Sequence, residues 1–272
     1  MDQFRLSRLT KMISRSLGVH DGTFHADEVT ACALLILFDL IDEDKIIRTR
    51  DSAKLANCEY VCDVGGLYDP LKKLFDHHQS DYQGKLSSAG MILLYLKEKK
   101  ILTVEEYAFF NNMLIIGIDD HDNGRSPQLL GYCTFSHVIA GLTPIHYDAT
   151  DEEQTEAFFL AVRFALGHLK RLLGRYKYTV DCRKEVAVAM KKYRTCLYFD
   201  RALPWLENFF ALTGATAAYA VNVVQNNCTE MGIVGTEGVS LPHYLEGVSP
   251  NVRESTEPFV ELCQAFQIPV GR

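Results

Sequence analysis

The chain has 272 residues, 47% of them hydrophobic and 23% charged, with a net charge of −7. That is enough apolar material for two domains with cores of their own, which excludes a disordered chain. The acidic balance excludes a protein that coats nucleic acid by bulk electrostatics, yet it leaves room for a local basic surface or for metal ions that invert the field of a cleft.

Residues 1–13 read as a basic N-terminal extension. With Arg5, Arg8, Lys11 and Arg15 and a single acid, Asp2, the start of the chain reads first as a frayed terminus and second as a mitochondrial presequence. A strand over Leu17–Val19 leads into His20-Asp21-Gly22-Thr23-Phe24-His25-Ala26-Asp27-Glu28. A helix follows from about Asp27 to Asp39, apolar almost all round and therefore buried. Its Ala31–Phe38 run is the longest uninterrupted apolar stretch and is too short to cross a bilayer, so no membrane partner is expected and the chain reads as cytoplasmic or otherwise intracellular. Strands are predicted at Lys45–Thr49, at Tyr60–Cys62 running into Asp63, and at Leu74–Phe75 running into Asp76-His77-His78. Helices are predicted from Ser88 to about Lys97 and from Val104 to about Ile118. This alternation predicts an α/β fold with a mostly parallel sheet over residues 14–145.

From residue 146 onward a helical connector and a smaller α/β C-terminal domain, to residue 272, are expected. Long helices run from Asp151 to about Tyr198, and Ala217–Val224 is the clearest later strand. Residues 163–201 hold eleven bases against three acids, a net +8 that leaves −15 elsewhere. This asymmetry suggests a basic arm, with Lys191, Lys192 and Arg194 as substrate-binding candidates, although a plain solvated helical face has the same composition. The eight cysteines show no C-x-x-C pair and are expected as reduced thiols, with Cys58 and Cys62 at most a zinc half-site.

Three strand-like runs thus end in metal-type side chains, and a parallel sheet delivers its carboxyl ends to one edge, so these residues are expected to converge. Imidazoles and carboxylates without clustered thiolates suit Mn²⁺ or Mg²⁺ better than structural zinc. Six or more candidate ligands exceed one tetrahedral ion, so two divalent ions bridged by Asp63 or Asp27 are expected, in a site for phosphoryl chemistry. His78 and Asp76 are expected to be catalytic, with His78 touching the phosphate or moving a proton to the leaving oxygen. Ser87, Ser88 and Gly90 lie where backbone N–H groups at a helix start can bind a phosphate, with Ser88 also readable as an ordinary N-cap. Asp51 reads either as a partner of Arg48 or Arg50 or as a member of the site.

These motifs, with Ile118-Asp119-Asp120-His121-Asp122-Asn123-Gly124 as a fourth, resemble in order those of the DHH phosphoesterase superfamily. The Val19–Glu28 run, Arg48-Thr49-Arg50-Asp51 and Ser87-Ser88-Ala89-Gly90 are most similar to the melanocyte-proliferating-gene (Myg) proteins, which are metal-dependent exonucleases. The resemblance covers roughly residues 14–225. It implies His20, His25, Asp27, Asp63 and His77 as metal ligands, with His78 beside the scissile phosphate. It leaves Asp119 and Asp122, one helical turn apart, both open as the next ligand. It further implies two-metal hydrolysis of single-stranded RNA or DNA from an end. Pyrophosphate or a short linear or cyclic dinucleotide as substrate, and a non-catalytic metal- and nucleic-acid-binding role, stay open, as does a homodimer. From Asn226 to Arg272 the chain departs from the family: the closing glycine-rich stretch with histidine and paired glycines is not found, and Gly235 and Gly238 do not reproduce it.

Overall fold

Alternating residues of short strands build the first core. Leu17 and Val19, Tyr60 and Cys62, and Phe75 enter the main hydrophobic cluster, while Val61, Leu74 and Ile47 enter a smaller cluster with Leu55 and Cys58. Period-2 alternation of this kind means a sheet covered on both faces. In the computed structural model, which describes residues 12–127, 129–192, 196–199, 201–213, 219–225 and 228–234, the strands are β1 (Ile13–Val19), β2 (Ile46–Arg48), β3 (Cys58–Cys62), β4 (Tyr68–Asp69) and β5 (Leu74–Phe75).

Their order is β2-β1-β3-β5-β4, parallel throughout except for β4, which pairs antiparallel with β5 at the edge. The fold is the expected α/β class with a mostly parallel sheet. Because β2 and β3 flank β1 on opposite sides, the chain switches direction across the sheet between β1 and β3, where open α/β sheets form a crevice at their carboxyl ends. His20 and Asp63 are the first residues beyond those two strands.

Helix α1 (Ala26–Leu37) is buried from Ala26 to Leu35, as its all-round apolar sequence requires. The short α2 (Ser52–Leu55) packs on the other face, capped by Asp51, whose side chain accepts from the Ala53 N–H. Gly18 makes that packing feasible, since a Cβ there would stand 2.6 Å from Leu55 Cδ2. Asp51 is therefore a cap, and Arg50 pairs with Asp21 instead.

Helix α3 (Ser88–Glu98) starts one residue after its N-cap, Ser87, so the expected cap at Ser88 moves back by one. The helix expected over 104–118 is longer and interrupted. It comprises α4 (Val104–Phe110), a π turn over Asn111–Ile115 and α5 (Ile116–Asp122). The wider turn shifts the phase of everything after it, and such bulges recur at functional sites. Helix α6 (Phe135–Ala140) follows.

Helix α7 (Asp151–Lys192) is one continuous element of 42 residues. The described residues form two compact units that divide within it, one up to Leu173 and the other from Gly174. In the second unit the helical pattern expected as far as Tyr198 ends earlier, and Cys196–Phe199 is a strand, β6. Helix α8 (Trp205–Thr213), β7 (Tyr219–Gln225) and β8 (Cys228–Val234) complete it, with β6 parallel and β8 antiparallel to β7. Phe199, Leu203 and Phe209 pack there with Cys182, Val186 and Ala189. Arg194, the side chain of Lys192, and residues 235–272 with Gly235 and Gly238 lie outside the described residues, while Lys191 is exposed. No helix among the described residues is long and apolar enough to cross a membrane.

Candidate metal centre

The carboxyl ends of β1, β3 and β5 meet the N-terminus of α1 and the last turn of α5. Three overlapping sets of possible metal ligands result, each with ligand atoms within 4.8 Å of one another: His20, His25, Glu28 and Asp63; Asp63, His77 and His78; and Asp27, His77 and Asp122. Asp63 and His77 each belong to two sets. No cysteine among the described residues joins them, and Cys58 and Cys62 are buried free thiols.

Each side chain is aimed by a second group. His20 Nδ1 lies 2.9 Å from the Asp21 carbonyl, to which it donates, so Nε2 faces Glu28 at 3.0 Å and Asp63 at 3.4 Å. A backbone carbonyl behind an imidazole is the usual device for fixing a ligand ring. Asp63 adopts φ 57°, a left-handed conformation that aspartate tolerates better than most residues. His77 Nε2 lies 3.0 Å from Asp122, 3.4 Å from Asp63 and 3.8 Å from Asp27. His25, the exposed N-cap of α1, donates its backbone N–H to Glu28.

Behind the cluster stands the start of α3. Asp27 is fully buried and accepts from the Ser87 hydroxyl, the Ser88 N–H at 2.9 Å and the Ala89 N–H at 2.6 Å. Asp119 accepts from the Ser87 N–H at 3.0 Å and the Gly90 N–H at 3.1 Å, and its Oδ1 stands 2.7 Å from the Ser87 hydroxyl, whose single proton it shares with Asp27. Ser87, Ser88 and Gly90 are therefore buried, and their donors serve two protein carboxylates rather than an open phosphate site. The structure also separates Asp119 from Asp122: Asp119 binds the α3 terminus, while Asp122 faces His77.

His78 has a different setting. Its side chain is 63% exposed, and Nδ1 lies 2.9 Å from Asp76 and 3.3 Å from Asp63, which leaves Nε2 for the cleft. Asp76 is buried and also accepts the N–H groups of His78, at 3.0 Å, and Gly66, at 2.6 Å. Asp76 positions His78 and the Gly65–Gly66 turn, and it joins none of the three sets.

The charges are strongly coupled. Burial alone would discharge His20, but Asp63 and Glu28 outweigh it and hold the ring up to about 10. His77 is held up to about 11 by Asp122 and Asp63 against the same penalty. Asp63 is lowered to about 2 by those two rings despite its burial. Burial, with the charges of Asp63 and Asp122, pushes Asp27 well above the usual carboxylate range in spite of its three donors. Burial likewise raises Asp119 to about 6.

Asp63 Oδ1 and His77 Nε2 are buried without a hydrogen-bond partner, 3.4 Å apart. Once His77 gives up its proton both atoms are lone-pair donors, two buried acceptors side by side are costly, and a cation between the carboxylate oxygen and the imidazole nitrogen satisfies both. The hard oxygen and nitrogen donors fit a divalent ion.

Residues 16–228 match the MYG1 exonuclease family model, described as an uncharacterised protein family (UPF0160). The chain belongs to that family. A MYG1 protein of Chlamydia trachomatis is 52% identical over 269 residues, covering 94% of this chain and 88% of its own. One of Chlamydia muridarum is 53% identical over 202 residues, 74% of this chain and 69% of its own. The human MYG1 exonuclease is 37% identical over 183 residues, 56% of this chain and 48% of its own. No solved structure matches the chain.

In this MYG1 family member two residues outside the expected site set come to it: buried Glu28 enters a ligand set, and Arg50 lines the cleft. Glu28 sits 3.0 Å from His20, yet in sequence it reads as the third residue of a capping box, which it also is. Arg50 lines the cleft together with His25, Asp63, His78 and Asp122. Only the position of Arg50, just beyond a strand end, hinted at this.

Proposed function

We propose that the chain is a metal-dependent phosphodiesterase of the DHH superfamily, acting as an exonuclease on single-stranded RNA or DNA. The observation that carries this reading is the pair of buried atoms without a hydrogen bond, Asp63 Oδ1 and His77 Nε2, at the overlap of three ligand sets. The name of the human relative, an exonuclease, supports the substrate class. Residues 14–145 are the proposed metal-binding catalytic part, and residues 146–272 the connector and substrate-binding part.

In this reading His20, His25, Asp27, Asp63, His77 and Asp122 hold two divalent ions, Mn²⁺ or Mg²⁺, with Glu28 at the edge of the set. Bound ions supply water activation and charge neutralisation on a phosphoryl group. The rest is the work of the chain. Asp63, shared by two sets, keeps the ligand groups in register, and the α3 terminus fixes the Asp27 carboxylate through three donors. His78, aimed by Asp76, presents Nε2 to the cleft, where it donates a proton or hydrogen bond to the departing oxygen. The +8 stretch over 163–201, including Lys191, Lys192 and Arg194, guides the strand by neutralising its phosphates.

The test is incubation of the purified protein with Mn²⁺ and end-labelled single-stranded RNA, DNA, a dinucleotide and pyrophosphate. The expected result is stepwise release of mononucleotides from oligonucleotides, with binding that weakens as salt rises by a slope of about −0.7 per neutralised phosphate. Turnover of pyrophosphate alone, or no binding of any oligonucleotide at low salt, overturns the exonuclease reading.

A further inference from the structure

The cleft onto which His20, His25, Asp63, His78 and Asp122 of the ligand sets open has a volume of about 970 Å³, at the upper end of the roughly 300–1,000 Å³ usual for ligand pockets. It has room for more than one phosphoryl group. Its walls carry Asp21, Asp63, Asp76 and Asp122, and among the described residues Arg50 is the only arginine or lysine that lines it. A permanent cation in a wall whose other ionisable side chains are carboxylates and imidazoles has no obvious use for metal binding.

Arg48 and Arg50, two residues apart, divide the work at the Asp21–Gly22 turn. Arg48 donates to the Gly22 carbonyl, reaches Thr155 Oγ1 at 3.4 Å, and lies 4.7 Å over the Phe158 ring. Arg48 therefore secures the turn. Arg50 adds only one contact, from Nε to Asp21 Oδ1 at 3.3 Å, and its side chain is 65% exposed. An exposed pair of this kind contributes little to stability. It does aim the guanidinium: Asp21 is the same residue whose carbonyl receives His20 Nδ1, so Arg50 is tethered one residue from a proposed metal ligand. Among the described residues its two terminal amino groups have no hydrogen bond or ion pair of their own, and they remain for a bidentate anion.

We propose that Arg50 is a specificity-determining residue that grips a second, non-scissile phosphate, so that the cleft selects phosphodiesters with a further phosphate one nucleotide away. The inference rests on the phosphodiesterase reading above and names the substrate feature that reading leaves open. A lone diester fills only the part of the cleft beside the histidines, whereas an oligonucleotide or an end-phosphorylated dinucleotide also reaches Arg50.

The experiment compares an unphosphorylated dinucleotide with its 5′-phosphorylated and 3′-phosphorylated forms, in wild type, Arg50→Gln and Arg50→Lys. Wild type should prefer one end-phosphorylated form. Losing a charge-assisted bidentate contact corresponds to roughly tenfold to a hundredfold in KM, so Arg50→Gln should raise KM for that form by this factor and erase the preference, with kcat little changed. Arg50→Lys should restore part of it, because a point charge replaces the fork only partially. Melting of Arg50→Gln within about 2 °C of wild type is expected for an exposed pair. If Arg50→Gln affects all three substrates equally, or wild type shows no preference, this inference is overturned while the phosphodiesterase reading stands. If wild type cleaves none of them, nor any longer strand, both fall.

Discussion

Gly90→Ala probes the wall behind the cluster. A Cβ on Gly90 would stand 2.2 Å from Asp119 Oδ2, 2.7 Å from Oδ1 and 2.8 Å from Cγ. Asp119 cannot recede freely, because the Ser87 N–H, the Ser87 hydroxyl and the Gly90 N–H all hold its Oδ1. Overpacking costs about 1–3 kcal/mol, and loosening one hydrogen bond to a charged group adds about 1.5–3 kcal/mol. A loss of roughly 2.5–6 kcal/mol follows, or roughly 5–24 °C in Tm at about 2–4 °C per kcal/mol for a unit of this size. Gly117→Ala is the control. Gly117 is exposed within α5, and a Cβ there meets nothing within 4 Å. That variant should gain about 0.5–1 kcal/mol from helix propensity alone. In Gly90→Ala/Asp119→Ala the new methyl occupies space that the carboxylate vacates, so a double-mutant cycle should show at least about 1 kcal/mol of favourable coupling. Thermal and denaturant melts read all of these. Gly90→Ala melting within 2 °C of wild type, or an additive cycle, refutes the clash.

Metal loading should be steeply pH-dependent. In the metal-free cleft His20 and His77 keep their protons up to about 10 and about 11. Each must lose one to become a ligand, so the two rings should make the logarithm of affinity rise by about 2 per pH unit through neutrality, and proton release measured calorimetrically in buffers of different ionisation enthalpy should show at least about two protons, with Asp27, whose carboxyl is also raised, able to add a third; a flat profile removes these rings from the ligand set. The sign for stability of the metal-free protein follows from the same values. The stabilisation from the raised histidines is full below their ordinary 6.5 and is lost as pH rises through about 10 to 11; that from Asp63 is present above its ordinary 3.8 and is lost as pH falls through about 2. His78→Ala should retain metal and lose roughly two or more orders of magnitude in turnover, the scale of a lost general acid or transition-state contact, while His77→Ala loses metal as well; identical behaviour would remove the division of roles. Asp122→Asn should weaken metal binding with little change in Tm, and Asp119→Asn should lower Tm more than it lowers metal affinity; the reverse pattern would exchange their roles.

What the sequence made legible follows from how local each feature is. β1, β3 and β5 announce themselves because an apolar run stops on His20, on Asp63 and on Asp76-His77-His78. Parallel pairing then brings those stops to one edge. The choice between Asp119 and Asp122 is not local, since it depends on the phase shift of the π turn over Asn111–Ile115. Glu28 is hidden by a competing role, the capping box of α1. The Ser87–Gly90 stretch looks like a phosphate cradle because its own sequence cannot show that Asp27 and Asp119, about sixty and thirty residues away, occupy its donors. Cys196–Phe199 follows a long helical pattern closely enough to be read as its last turn, although four bulky apolar residues in a row favour the pleated surface of a sheet.

The account centres on a cluster in which Asp63 joins two ligand sets, and metal content tests it most directly. Wild type loaded with Mn²⁺, freed of excess metal and analysed for elemental content should carry two ions per chain. Asp63→Asn, checked for an intact fold by circular dichroism, should lose most of both, because that carboxylate belongs to two of the three sets. Full stoichiometry in Asp63→Asn, or a wild type that takes up no Mn²⁺ and holds only zinc at Cys58 and Cys62, would contradict the account.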